Sequence, residues 1–394
     1  MKVFWDPDCL LHDPPYEILS GDKLPYFESP ARLQLVKKAL ERNPLLFECE
    51  VVSFESSSHG RDITRYIELV HSREYLSYLS NAYDEWVRSG ASTVAVLPET
   101  FPHPKLLPAP TQTDVGSLSP FAQAGYYCFD LSCPITKTTY SSAIASVGVA
   151  LSAARELAAA SGPHGPQTGV FALCRPPGHH AGTSLCGGYC FFNNVAVAAR
   201  FLQSLSSARA ERHRIAILDI DYHHGNGSKS LPLALRFSLQ VKHTDSRIAQ
   251  EIFYSDPSVL YSSLHAVDDY PYFTGAVTEK GVGEGMNANF NYPLPRGTED
   301  SDYCAALLEA TENIRKFDPG YLLVSVGVDT FSNDPQGDFK LSHSCYTAIG
   351  EIIADLGKPT LFVMEGGYHM ETLGENFRAV LEEFQERSRG KTSD

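Results

Sequence analysis

Five short apolar runs recur along the chain, at 168–174, 215–218, 258–264, 321–326 and 360–364, and each ends abruptly in polar residues or glycine. Runs of this length, bounded by turn residues, read as buried parallel strands. Two further strands are expected at 2–5 and 48–54. Helical patterning lies between them at about 72–86, 139–160, 191–205, 302–316, 344–356 and 372–387. A helix over 30–42 opens on Ser29-Pro30, an N-cap followed by proline at the first helical position. The alternation is continuous and carries no internal repeat. It predicts one α/β domain over 1–394, with a central, mainly parallel sheet flanked by helices. Periodicity fails at 89–119, where prolines accumulate. That segment is expected to be a long loop: a lid, an oligomer contact or an insert.

Strand ends are where ligand sites form in α/β sheets. The run at 215–218 passes into Asp219-Ile220-Asp221-Tyr222-His223-His224-Gly225-Asn226-Gly227. At period two, Asp219, Asp221 and His223 share one face of a strand, so Asp221 and His223 can hold one ion from one side. The run at 168–174 leads into Arg175-Pro176-Pro177-Gly178-His179-His180, which sets two imidazoles on a rigid turn. Asp329 stands just past a third strand. Tyr368 follows Gly366-Gly367 after a fourth, and the glycines let it lean over the sheet end. Arg32 sits in the first turn of its helix, where a cation is unfavourable. It either has a specific partner or is solvated.

Asp221, His223 and Asp329 offer two oxygens and one nitrogen. Three protein ligands with an open position describe a catalytic zinc site, which polarises a carbonyl and activates water. Two carboxylates also suit Fe(II), Co(II) or Mn(II). His179 and His180 are then a proton-transfer pair. Asp219 can orient one imidazole and favour its charged form, and Asn226 can orient the other without charge. Tyr368 can donate to a developing oxyanion. The products of such a site are an amine and a carboxylate.

A formal net charge of −15 argues against nucleic acid or an anionic membrane as partner, and is compatible with a cationic substrate. Nine cysteines without a C-x-x-C spacing read as reduced thiols, which places the chain in the cytoplasm or the nucleus. Met1 to Asp6 lack the apolar core of a signal peptide, and no uninterrupted apolar run reaches membrane-span length.

The motifs Arg175-Pro176-Pro177-Gly178-His179-His180-Ala181-Gly182, Gly187-Gly188-Tyr189-Cys190-Phe191-Phe192-Asn193-Asn194, Gly327-Val328-Asp329-Thr330-Phe331 and Met364-Glu365-Gly366-Gly367-Tyr368 together resemble the acetylpolyamine amidohydrolases of the arginase-like histone deacetylase superfamily. The resemblance implies zinc on Asp221, His223 and Asp329, with His180 as general base and His179 as electrostatic and acid partner. It implies Tyr368 as oxyanion donor, Asp219 supporting His179, and Asn226 supporting His180. It also implies a structural potassium ion at Asp219, Asp221, His223, Ser263 and Leu264. A substrate tunnel would be lined by Gly188, Tyr189, and Tyr272 or Phe273, with Glu17 near its mouth and Arg32 beneath the site. The loop at 89–119 would build a homodimer.

Three departures stand out. Tyr127 replaces an aspartate that histone deacetylases use to grip peptide backbone. Gln336 follows Asp334-Pro335, where a polyamine-specific relative has a glutamate. Residues 231–249 are extra, as a surface excursion or a translated unspliced segment. The expected activity is metal-dependent removal of acetyl groups from small acetylated amines, acetylpolyamines foremost. The alternatives are a protein lysine deacetylase and an inactive acetyl-ligand scaffold.

Overall fold

The structure, a computed structural model, describes residues 1–52, 60–103, 115–206, 212–229 and 252–390. The expected excursion at 231–249 and the middle of the long loop, 104–114, lie outside the described residues.

Ten strands are described: β1 (Lys2–Trp5), β2 (Glu17–Leu19), β3 (Asp22–Leu24), β4 (Glu48–Val51), β5 (Gly169–Ala172), β6 (Ile215–Asp219), β7 (Val259–Ala266), β8 (Asn289–Leu294), β9 (Tyr321–Val326) and β10 (Thr360–Met364). Eight of them form one sheet in the order β4-β1-β5-β10-β9-β6-β7-β8. Every pairing within it is parallel. All residues of β5, β6, β9 and β10 are buried, as expected of strands covered by helices on both faces. This is why they read in sequence as unbroken apolar runs. All nine cysteines are free thiols.

The register brings the strand ends level. Asp219 lies opposite Ser325, and Val326 opposite Met364. The residues that follow β5, β6, β9 and β10 therefore emerge together on one rim. The 22-residue helix Thr139–Ala160 spans the predicted interval. Its length and composition would let it cross a membrane, yet most of it is buried here, with Val147, Ala150 and Leu157 inaccessible. The helix Pro30–Glu41 begins at Ser29 as expected, although the Ser29 side chain makes no capping hydrogen bond.

Five described elements, β2, β3, β8 and two helices, go beyond the sequence expectations. β2 and β3 form an antiparallel hairpin, turned by Ser20 and Gly21 at positive φ. Gly60–Ile67 and Pro120–Tyr126 are helices. β8 is an edge strand. In addition, β6 stops at Asp219, so Asp221 and His223 lie in the turn beyond it. What brings them together is a pair of local hydrogen bonds, not the strand pleat. The amide of Asp221 donates to Asp219 Oδ1 at 3.3 Å, and that of His223 to Asp221 Oδ1 at 2.9 Å. Aspartate commonly folds a chain this way, by bonding the backbone two residues on.

Candidate active site

Two carboxylates and one imidazole nitrogen meet at the ends of β6 and β9. His223 Nδ1 lies 3.2 Å from Asp221 Oδ1 and 3.1 Å from Asp329 Oδ2. The remaining oxygen of each acid is held by backbone: Gly366 N donates to Asp221 Oδ2 at 2.8 Å, and Tyr222 N to Asp329 Oδ1 at 3.0 Å. A Cβ on Gly366 would stand 2.3 Å from Asp329 Oδ2, and one on Gly327 2.0 Å from Asp221 Oδ2. Glycine is required at both positions for the chain to approach the acids this closely. One ligand atom from each of Asp221, His223 and Asp329 lies within 4.8 Å of the others. This donor set fits a divalent transition metal. Burial alone would lower the basicity of His223, but the two carboxylates outweigh it and push its pKa up to about 10.

His179 and His180 lie beside this cluster with ring centroids 3.9 Å apart and planes tilted by 43°. Their partners differ. His179 Nδ1 is 3.2 Å from Asp219 Oδ2, whereas His180 Nδ1 is 2.7 Å from Asn226 Oδ1. Burial opposes charge on both rings. At His179 the charges of Asp221 and Asp219 overcome burial and raise the pKa to about 10. At His180 burial wins, helped by the neighbouring imidazoles, and the ring stays neutral well below the ordinary histidine range. Tyr261 donates to Asp219 Oδ2 at 2.8 Å. Glu365 Oε2 accepts from Gly178 N at 2.7 Å and from His179 N at 3.1 Å, which pins the turn carrying both imidazoles. Across the site, burial keeps the Tyr368 phenol protonated. Its ring lies under the Arg32 guanidinium, 4.7 Å from the centroid. Arg32 is fully buried and donates to Glu28 Oε1, Gly367 O and Glu365 O at 2.6–2.7 Å. Of the two expectations for Arg32, a specific partner or solvation, the structure has the partners.

The walls are aromatic and acid-backed. Gly188 and Tyr189 both adopt positive φ, at 54° and 68°. A Cβ on Gly188 would come within 2.4 Å of His180 Cδ2. Tyr189 donates to Glu17 Oε2 at 2.8 Å. Asp130 Oδ2 accepts from Gly188 N at 2.8 Å and from the Tyr270 hydroxyl at 2.6 Å. The Tyr270 ring meets His180 edge to face at 5.0 Å and His223 at 5.8 Å.

The Histone deacetylase domain family matches residues 26–234 and 243–384 of this chain. The chain belongs to the histone deacetylase family. Within that family it is similar to acetylpolyamine amidohydrolase 2 of Pseudomonas aeruginosa, at 38% identity over 388 residues, covering 98% of this chain and 99% of that one. It is also similar to the acetylpolyamine amidohydrolase of Mycoplana ramosa, at 35% over 383 residues, covering 97% and 98%. Among solved structures, the acetylpolyamine aminohydrolase from Burkholderia pseudomallei superposes with a TM-score of 0.80 at 30% identity, covering 98% of each chain. These relatives are hydrolases of amide bonds by name, and the chain is an amidohydrolase of the histone deacetylase family.

The structure gathers Asp219, Asp221, His223, Asn226, His179, His180, Asp329 and Tyr368 into one site, with Gly188 and Tyr189 beside it. Glu17 is placed differently from its expected position at a mouth. It is fully buried behind Tyr189, and its second oxygen accepts from Phe27 N. Tyr272 and Phe273 are 63% and 76% exposed, whereas the aromatic ring packed on the imidazoles is Tyr270. Tyr127 is core, stacked on Tyr78 at 4.5 Å. Sequence reasoning missed Asp130, Tyr261, Glu365 and Tyr270. Glu365 alone had a signal, a carboxylate directly after a buried run.

Proposed function

We propose that this protein is a zinc-dependent deacetylase of acetylpolyamines, acting on a slender acetylated amine to give acetate and the free amine. Residues 1–394 act as one catalytic unit in this proposal, because strands from both ends of the chain share the sheet. The observation that carries it is a pair of imidazoles with different partners, His179 on the Asp219 carboxylate and His180 on the Asn226 amide, beside the Asp221–His223–Asp329 cluster. It lies in a chain alike, from end to end, to acetylpolyamine amidohydrolases.

Asp221, His223 and Asp329 would hold the zinc, which when bound supplies Lewis-acid polarisation of the acetyl carbonyl and activation of water. His180 takes the proton of the attacking water. Its Nδ1–H donates to Asn226 Oδ1, which leaves Nε2 free to accept. Tyr368 donates a hydrogen bond to the carbonyl oxygen as it gains charge. When the C–N bond breaks, His179 gives a proton to the departing nitrogen, and the Asp219 carboxylate stabilises its charged form beforehand. Gly188, Tyr189 and Tyr270 flank the acyl chain, and the buried acids Glu17 and Asp130 behind them favour a cationic substrate. A potassium ion held by Asp219, Asp221, His223, Ser263 and Leu264, and a homodimer, complete the proposal.

The test is turnover of N-acetylputrescine, N8-acetylspermidine and an acetyl-lysine peptide side by side on zinc-loaded protein, with Tyr368→Phe as control. Turnover of the free amines above the peptide, lost in the control, is expected. Peptide preference would make the protein a lysine deacetylase. Binding of all three without turnover, with metal bound, would make it a scaffold.

A further inference from the structure

The loop after β9 carries Asp334, five residues beyond Asp329 and 6% exposed. No chemistry has been assigned to it so far. Its side chain crosses to the loop after β10. Asp334 Oδ2 accepts from Tyr368 N at 2.6 Å and from His369 N at 2.9 Å, while Oδ1 accepts from Gln336 N at 2.9 Å. Three amides on two oxygens call for a group that only accepts, and an ionised carboxylate is one. An asparagine would turn an N–H₂ toward one of those N–H groups.

The Tyr368 backbone is thereby gripped from both sides. Arg32 takes the carbonyl of Gly367 at 2.7 Å, and Asp334 takes the next two amides. Gly367 itself stands at φ 118°, a conformation that side-chain-bearing residues rarely adopt. Without Asp334 the amides of Tyr368 and His369 lose their acceptor. Burial and the charge of Asp329 disfavour the ionised carboxyl, and the three amides favour it.

We infer that Asp334 is a positioning residue, which sets the reach of the Tyr368 hydroxyl by fixing the backbone of Gly367, Tyr368 and His369. The inference rests on the assignment of Tyr368 under the proposed function. It is tested on the zinc-loaded full chain with Asp334→Asn, Tyr368→Phe and the double variant. Asp334→Asn is expected to lower kcat about 10- to 100-fold with KM nearly unchanged. In the Tyr368→Phe background the same change is expected to cost less than about threefold, because the group it positions is already gone. Amide hydrogen exchange at Tyr368 and His369 should quicken in Asp334→Asn, and this readout requires neither metal nor activity. An equal fold-loss in both backgrounds, a loss carried by KM, or unchanged exchange would overturn the inference. If Asp334→Asn does not fold, Asp334→Ser replaces it under the same comparisons. Tyr368→Phe with undiminished kcat would instead sink the oxyanion role itself, so the two failures are distinguishable.

Discussion

On the floor of the site, Asp221 and Asp329 accept backbone amides and each turns one oxygen toward the His223 ring. Along the wall, Tyr189 and Tyr270 give their hydroxyls to Glu17 and Asp130, and hold their places through those side-chain bonds. A group bonded to backbone at a strand end moves only if the sheet moves. A ring anchored by one side-chain bond can swing once that bond is cut. The floor therefore holds atoms to the tolerance that bond-breaking requires, whereas the wall shapes what enters. Substitutions below should strike metal content and kcat, and substitutions at the sides should strike KM and substrate choice.

The largest effect is expected from Asp329→Ala. It removes a floor ligand and leaves Tyr222 N without its acceptor, so metal content should fall below one per chain and turnover to background. Metal analysis beside a turnover assay checks both. His180→Ala should keep its metal and lose about 10²- to 10⁴-fold in kcat. Loss of metal there would mean that the imidazole pair belongs to the floor's binding function as well. Asn226→Asp should act through pH. The neutral His180 is the active form, and its lowered pKa keeps it neutral into acid solution. A carboxylate at 226 favours the imidazolium, so the acid limb of kcat/KM should move up by about one pH unit or more. A profile unmoved by that substitution would remove Asn226 from the picture.

On the wall, Tyr270→Ala should raise KM about tenfold and narrow the preference for slim amines over peptides. Phe273→Ala, three residues along and exposed, should stay within about threefold in the same assay. Equal effects would show that the rim, and not the ring against His180, selects substrate. The smallest change is expected from Tyr189→Phe. It deletes the hydroxyl bonded to the buried Glu17 carboxylate and should lower stability by about 1–3 kcal/mol, read by denaturant titration, with kcat nearly unaltered.

The same contrast governs what could be read from residue order. Asp219, Asp221, His223, Asp329 and Tyr368 stand just past buried apolar runs, and a parallel sheet must bring such ends to one rim. The floor was therefore legible once the strands were. The wall contacts join positions 172 residues apart for Glu17 and Tyr189, and 140 apart for Asp130 and Tyr270. Asp130, Tyr189 and Tyr270 lie on loops and Glu17 opens the short strand β2, so no periodicity relates one partner to the other. Tyr270 was passed over for the equally aromatic Tyr272 and Phe273, since nothing local says which ring turns inward. β8 escaped because it is a half-buried edge containing Pro293, and so reads as neither an apolar run nor a clean alternation. The helix Pro120–Tyr126 carries the same Ser-Pro start as Pro30–Glu41, and Ser119 does cap it, through Ala122 N at 3.3 Å. That signal was absorbed into the proline-rich loop before it.

The strand order bears on how the molecule is made. β10, the last described strand, lies between β5 and β9 near the middle of the sheet. A ribosome must therefore deliver residues 360–364 before the nascent chain can close its sheet. Until then β5 and β9 each present an open edge of apolar residues, the kind of surface that pairs with the wrong neighbour. The turn bearing Glu365 and Tyr368 arrives with that strand, so a stalled or truncated product would carry the imidazoles and all three acid-cluster residues without the parts that pin and complete them. Such a product would be a target for chaperones and proteases before it was ever an enzyme.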